Sequence, residues 1–551
     1  MRATAPAALL LCLAALLLGL AALGTAQPTF AASGAGGTQL GPVRGPVIVA
    51  APPATSAAAA AHVAGGRSSA APVLTRAHAG AARGPTVSRA LSTLLGSGAI
   101  SEATYKQDLS IYVAAKRSVS RLSGTRREEL AAVLANVQSI AAAGLLSGSR
   151  QAAVFLTLQQ NRHWWTTEPL LSSGERITFP PSKLIWQYYP GQGVEIQWLA
   201  TFGKGNGYYL SGHEYNNLRQ LVEEAIPLAT QRAGGIAWEY LFRFDGGVPP
   251  WTSGLSQGTA LQVLSRAWSR FKQPAFLTAA QQALGIFQTP PPSGVRVTAK
   301  AGAGYAQYSY APSDRILNGF IQAVVGLYDY TSITKDPLGL KLFEAGDAAA
   351  RAQVPHYDTG AWSLYDQYGE SSLSYHELLT EFLQHLCERT RKGAPVAAAT
   401  TPPPSGTTTT PTTTNPTTTT PVGAGGGTAP SAHAAATAST QIAGDEIYCT
   451  TAQRFSGYLR TPPVVSLLST KLKGGTRAGL KISLSKISTV TWTIHRNGRT
   501  VYTNRATLEG GKPRLLWLTP AAGGTFTVTL TAGDLAGNFS SSTGTIVVTH
   551  R

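Results

Sequence analysis

The sequence predicts a mainly α-helical chain, an array or closed ring of helical hairpins, followed by a short all-β sandwich. Three observations carry this. From residue 155 to about 390, apolar residues recur at helical spacing between short Gly, Pro and aromatic loops. From Pro462 onward the apolar period drops to two. Between these regions lies a tract, TTPPPSGTTTTPTTTNPTTTTP, whose composition fits neither pattern.

At the start, Arg2 precedes an apolar run over residues 7–23, and Gly24-Thr25-Ala26 offers small residues for cleavage. The expectation is a signal peptide at 1–26 and an exported protein of the cell envelope or exterior. At roughly 17 residues the run reaches the lower limit for a membrane span, so an uncleaved anchor is the alternative. Residues 27–86 are rich in Ala, Gly, Pro and Ser and contain no acid, which reads as a disordered tail made basic by Arg44, Arg67, Arg76 and Arg83. The whole chain carries a formal charge of +18. Such a protein suits an anionic polymer by long-range attraction, though solubility alone also explains the charge. No helix-turn-helix, zinc or RNA-binding signature is present, which argues against a nucleic-acid partner.

Residues 87–150 read as a helical hairpin region, through Leu94, Ile100, Tyr105, Leu109, Tyr112 and Val113, then Leu130, Val133, Leu134 and Val137. Residues 151–393 form the main helical domain, with Gly254–Phe271 among its clearest amphipathic stretches and strand signals only near Ile177 and Ile185. The Thr/Pro tract, 394–443, looks like a linker between domains. However, residues 444–460 place Ile447, Tyr448, Ala452, Phe455, Tyr458 and Leu459 on one helical face that needs a partner. The natural partner is the helix ending near Arg391, which makes the tract a disordered insertion in the last hairpin. Cys387 and Cys449 then stand about a turn either side of the break, suited to one disulfide, with two buried free thiols as the alternative. Residues 461–551 give short strands around 464–467, 480–484, 490–495, 515–518, 526–530 and 544–548, with an Arg496-Asn497-Gly498 turn. This is the pattern of an immunoglobulin-like sandwich.

Several phrases of the helical region occur in a telling order: Trp238-Glu239-Tyr240, Pro249-Pro250-Trp251-Thr252-Ser253-Gly254-Leu255-Ser256-Gln257-Gly258, Ile316-Leu317-Asn318-Gly319-Phe320, Gly326-Leu327-Tyr328-Asp329 and Tyr357-Asp358-Thr359-Gly360. Together they resemble the C-terminal domain of D-glucuronyl C5-epimerases. The resemblance implies an (α/α) toroid, a uronic-acid polysaccharide substrate, no cofactor and a homodimer. It also implies that Tyr308, Tyr365 and Tyr375 are catalytic.

The chemistry supports that choice of residue type. Inverting C5 of a uronic acid needs a proton removed α to a carboxylate and one returned on the other face, with donors or positive charge for the enolate-like intermediate. Tyrosine serves if a cation or helix N-terminus lowers its pKa, and Tyr308 precedes a helix that Ser313 or Asp314 would cap. Gln307, Gln197, Trp251 and Gln257 sit in family-like phrases and are candidate sugar contacts, with helix–loop hydrogen bonding as the plainer role for the glutamines. Lys204 and Asn206, in Phe202-Gly203-Lys204-Gly205-Asn206-Gly207, read as a sugar-facing glycine-rich loop or a structural turn, because the spacing does not fit a phosphate loop. Arg315 is a candidate cation, and His376 a candidate contact beside Tyr375. The ten histidines form no HxH or HxxxH pair, so no metal is expected.

Two positions depart from the family pattern. Gln307 stands where the family has Glu, and Tyr368 where it has Arg. A non-catalytic uronan-binding protein, or a polysaccharide lyase on the same toroid, are therefore the alternatives to an epimerase.

Overall fold

The computed structural model describes residues 84–397 and 445–550, together with the backbone of a strand at Val47–Val49. The expected signal peptide, most of the expected tail and most of the Thr/Pro insertion lie outside the described residues. The tail reading is corrected at one point. Val47–Val49 (β1) pairs antiparallel with Arg176–Thr178 (β2), as its β-branched run favours.

Residues 87–142 form three helices, where the periodicity suggested a hairpin of two. These are α1 (Val87–Gly96), α2 (Glu102–Arg121) and α3 (Gly124–Ala142). Thr86 and Ser101 accept the N–H groups of Arg89 and Thr104, so each starts a new helix. They pack with α4 (Gln151–Thr167), and α3 and α4 lie against β4 of a sheet ordered β1-β2-β3-β4, where β3 is Trp186–Tyr189 and β4 is Gly193–Ile196. Glu129 of α3 fixes the contact. Its carboxylate accepts from the Tyr188 hydroxyl and from the N–H groups of Gly191 and Gly193, at 2.7, 2.8 and 2.9 Å.

Four helical hairpins follow: α5 (Trp198–Leu210) with α6 (Tyr215–Ala225), α7 (Gly254–Phe271) with α8 (Pro274–Ala283), α10 (Leu317–Thr334) with α11 (Pro337–Gln353), and α12 (Leu373–Thr390) with α13 (Asp445–Tyr458). The short α9 (Gly285–Gln288) and two small ladders, Thr230–Arg232 (β5) with Gly235–Ala237 (β6) and Arg296–Thr298 (β7) with Ala303–Tyr305 (β8), fill the connections. Two hairpins turn by the same means. Lys272 and Lys335 end α7 and α10 in left-handed conformation, and Pro274 and Pro337 open the next helices.

The first helices of the four hairpins run parallel. Gln262 of α7 meets Gln322 and Asp329 of α10, and Asp329 takes two hydrogen bonds from Arg389 of α12 at 2.6 and 2.8 Å. Arg266 ties Asp329 to Asn206 of α5. These contacts run along the helices from the middle toward the C-terminal ends. Helices α7 and α10 approach closely because both are glycine at the crossing: a Cβ on Gly326 would stand 2.2 Å from the Gly258 carbonyl oxygen. Glu239, held by Arg150 and Arg232 at 2.6 Å each, joins the N-terminal helices to the hairpins, and one core runs through both.

The two helices of the last hairpin, α12 and α13, flank the Thr/Pro tract in sequence and pack against each other. Cys387 of α12 and Cys449 of α13 are disulfide-bonded, their Cα atoms 5.0 Å apart across a sequence separation of 62.

Residues 465–549 form two sheets over a single core. One is ordered β10-β16-β15-β12-β13, built from Lys471–Lys473 (β10), Ser488–Arg496 (β12), Arg499–Leu508 (β13), Gly524–Asp534 (β15) and Phe539–Thr549 (β16). The other is β14-β11-β9, from Arg514–Leu518 (β14), Arg477–Leu484 (β11) and Val465–Leu467 (β9). Strands β10 and β13 went unseen in the sequence, because their residues are mostly exposed and polar.

Candidate active site

The N-terminal ends of α7, α10 and α12 gather around two loops that carry tyrosines, and α12 carries a third tyrosine in its first turn. Tyr308 follows β8, held where Ala306 N–H donates to Val295 and Ser309 N–H to Thr252, at 2.8 and 2.9 Å. Gly254, the first residue of α7, donates to the Ala306 carbonyl. Tyr365 sits near the tip of a hairpin in which Leu364 bridges Glu370 and Asp366 accepts the N–H groups of Tyr368 and Gly369. The Tyr365 carbonyl accepts from Leu317 N–H at the start of α10. Tyr375 lies in the first turn of α12, which Ser372 caps.

These elements bring Gln307, Tyr308, Tyr365 and Tyr375 together. The rings of Tyr365 and Tyr375 are 4.7 Å apart, and both phenols feel Tyr308 or each other. The Gln307 amide and the Tyr365 phenol are near enough to Tyr308 to counter part of the rise in its pKa. Gln307 is buried, and its Oε1 has no hydrogen-bond partner among the described residues. Its side chain lies on α10 over Gly319, where a Cβ would stand 2.3 Å from Oε1, so the Asn318-Gly319 phrase is a seat for this glutamine. All three tyrosines are half-buried.

The electrostatics overturn one expectation. The Tyr308 pKa, expected to fall beside a helix N-terminus, is pushed up by burial and by the neighbouring Tyr375 phenol. Burial likewise raises Tyr365, Tyr375 and Tyr310, the last stacked on Tyr308 at 5.4 Å and 15°. Taking the phenolates out of water costs more than the donors return. At neutral pH the cluster is a set of protonated phenols.

Four expected sugar contacts are occupied in holding the fold. Gln197 caps α5 through Leu199 N–H and bonds the hydroxyls of Tyr189 and Tyr240. Gln257 is fully buried and bonds the backbone of Trp238 at both amide atoms. Trp251 is 4% exposed, stacks on Tyr240 at 4.3 Å and backs Tyr308 edge-on at 5.8 Å, so it is a wall and not a platform. His376 is buried between Trp362, stacked at 3.8 Å, and Phe455, whose carbonyl accepts from Nε2–H at 2.9 Å. Burial, with the Lys486 charge adding to it, pulls the His376 pKa down to about 4.

The expected glycine-rich loop is helix α5, started by the Gln197 cap and anchored by buried Trp198 and Phe202. Lys204 is exposed on it and lies over the Tyr208 ring, while Asn206 bonds Gln262 and Arg266 of α7. Arg315 is on the rim: it is exposed, and its N–H donates to Gln367 of the Tyr365 hairpin.

Residues the sequence reading passed over complete the site. Tyr189, which feels Tyr308, lies with Tyr240 near Arg176 of β2. Arg176 is half-buried and donates to Gln187 at 3.0 Å, and burial lowers its pKa while both phenols partly offset this. No carboxylate pairs with it among the described residues. Its only sequence signal was a charge beside the strand residue Ile177. Asp245 and Asp314 also lie near the Tyr308–Tyr310 pair. No group of three metal-ligating side chains occurs among the described residues. No described helix is long and apolar enough to cross a membrane.

Residues 233–397 match the family model described as D-glucuronyl C5-epimerase C-terminus. A D-glucuronyl C5-epimerase of Caenorhabditis elegans is 30% identical over 131 residues, which cover 21% of this chain and 21% of that protein. An uncharacterized protein of Methanocaldococcus jannaschii is 28% identical over 169 residues, covering 29% of this chain and 55% of that one. The chain thus spans about a fifth to about half of these relatives' lengths.

Proposed function

We propose that this chain, whose residues 233–397 match the D-glucuronyl C5-epimerase C-terminus family model, epimerises a uronic-acid polysaccharide at C5. The observation that carries the reading is the meeting of Gln307 and Tyr308 from one loop, Tyr365 from another and Tyr375 from the first turn of α12. Tyr308 and Tyr375 flank the sugar, with Tyr365 between them. One phenol, ionised, takes the C5 proton, and the electron pair moves into the carboxylate as an enolate-like dianion. The opposed phenol gives its proton to the other face of C5 and becomes the anion. Transfer through Tyr365 returns the proton across the site and restores the starting state. Arg176 and the helix N-termini offset the charge of the uronate and the intermediate. Neutral phenols are ready acids, and the scarce step is the ionisation of one of them.

The four hairpins with parallel first helices belong to an (α/α) toroid, and the two-sheet domain, with its parallel β10–β16 edge, is immunoglobulin-like. An exported, basic protein meets an anionic polymer substrate, as a monomer or a homodimer. Gln307 and Tyr368, the latter 77% exposed, favour a second reading, a binding protein that holds uronan without turnover.

Incubation with a glucuronan in heavy water separates these. Deuterium at C5 without an unsaturated product supports epimerisation, ultraviolet absorbance of an unsaturated uronate supports a lyase, and retention with neither supports binding alone.

A further inference from the structure

The sandwich touches the helical part at the loops that hold the tyrosines. Lys486, in the turn between β11 and β12, is 1% exposed. Its ammonium donates to the carbonyls of Tyr458 and Thr461, at the end of α13, at 2.8 and 2.5 Å. It pairs with Asp534 of β15 at 2.5 Å and lies 5.2 Å over the ring of Trp362. Trp362 stacks on His376, the residue after Tyr375, and donates its indole N–H to Ser371 at 2.8 Å. A second grip comes from the turn between β13 and β14. There, Gly510 N–H donates to the buried carboxylate of Glu370 at 2.7 Å, while Gly369 lies against Glu509. Leu364 and Glu370 are the rung that sets Tyr365 at the hairpin tip.

A tethered spacer has no need of a buried cation at its contact with the neighbouring domain, since such contacts are ordinarily wet and polar. Removing an ammonium from water costs several kcal/mol and is offset only by well-placed partners. Here those partners are the end of α13, an aspartate of the sandwich and the indole wedged against His376.

The geometry points to the sandwich as a positioning element of the tyrosine site. Through Gly510–Glu370 and Lys486–Trp362 it holds the 362–371 hairpin and the start of α12, and so sets Tyr365 against Tyr308 and Tyr375. Glu370 is a positioning residue. It touches no substrate and acts through the hairpin. This rests on the phenolic cluster being the reacting site, as proposed above.

The test uses the full chain with 3-fluorotyrosine at position 365, read by 19F resonance and by C5 deuterium exchange. Glu370→Ala deletes the acceptor for Gly510 N–H, whereas Glu370→Gln keeps it. The expected result is a single resonance in wild type and Glu370→Gln, and a shifted or split one in Glu370→Ala. The kcat of Glu370→Ala should fall on the order of 10- to 100-fold, with KM within about twofold of wild type. A wild-type resonance and kcat in Glu370→Ala would overturn the proposal, as would a Glu370→Gln chain as impaired as Glu370→Ala. If Glu370→Ala does not fold, Trp362→Phe, which keeps a ring on His376 and loses the bond to Ser371, is read against the same two outcomes. A wild-type chain that exchanges no deuterium removes the epimerase reading, and the 19F comparison then decides the positioning claim by itself.

Discussion

The Cys387–Cys449 bridge closes a loop whose ends are 62 residues apart. In the chain-entropy account, a loop of 62 residues gives about 14 cal/mol/K, or about 4 kcal/mol at 25 °C. Native strain and structure in the unfolded chain reduce that figure, so it is an upper bound. The effect reaches the site, because α13 supplies the Phe455 carbonyl to His376, and Arg454 and Tyr458 of the same helix bond Asp358. Reduction, or the pair Cys387→Ala and Cys449→Ala, is expected to lower Tm by up to about 6 °C in scanning calorimetry. Exchange activity should fall before the sandwich melts. Equal Tm values with and without reductant would refute the reasoning, as would labelling of both cysteines in denatured, unreduced protein.

Three further outcomes follow from the site. The raised phenol pKa values keep the tyrosines protonated beyond the range of free tyrosine, so the base is scarce at pH 7 and exchange should increase as pH rises toward 10. A rate that falls over that range removes tyrosinate as the base. His376 has a folded pKa near 4, below its unfolded value, so the folded chain binds fewer protons between pH 6.5 and 4. Stability is present above pH 6.5 and lost as pH falls toward 4, and chemical unfolding of His376→Gln should show a flatter dependence in that window. Arg176→Gln should raise KM for uronan or weaken its binding about tenfold, and an unchanged KM and binding constant would take Arg176 out of the carboxylate site.

The sequence carried the helical hairpins, the interrupted last hairpin and its disulfide, because each is written in local periodicity and in two cysteines flanking one break. It also carried the four convergent positions, through a resemblance that fixes loop order. It misplaced what depends on packing. The glycines of Phe202–Gly207 suggested a loop, but the Gln197 cap and the buried rings of Trp198 and Phe202 make it helix. Gln197 and Gln257 stand in family-like phrases, and His376 beside Tyr375, for a structural reason: each satisfies buried backbone or phenol groups. Arg176 was invisible because its role depends on strand register, which sets it opposite Gln187 and near Tyr189 and Tyr240. The rise in phenol pKa was missed for a similar reason. A helix N-terminus is visible in sequence, whereas the burial that outweighs it is not.

The account stands on two opposed phenols acting on one sugar carbon. Its most direct test is mass spectrometry of glucuronan incubated with wild type, Tyr308→Phe and Tyr375→Phe in heavy water. The expected result is deuterium at C5 with wild type and a loss on the order of 100-fold or more in each variant. Wild-type exchange in either variant, in protein that folds normally, would contradict it.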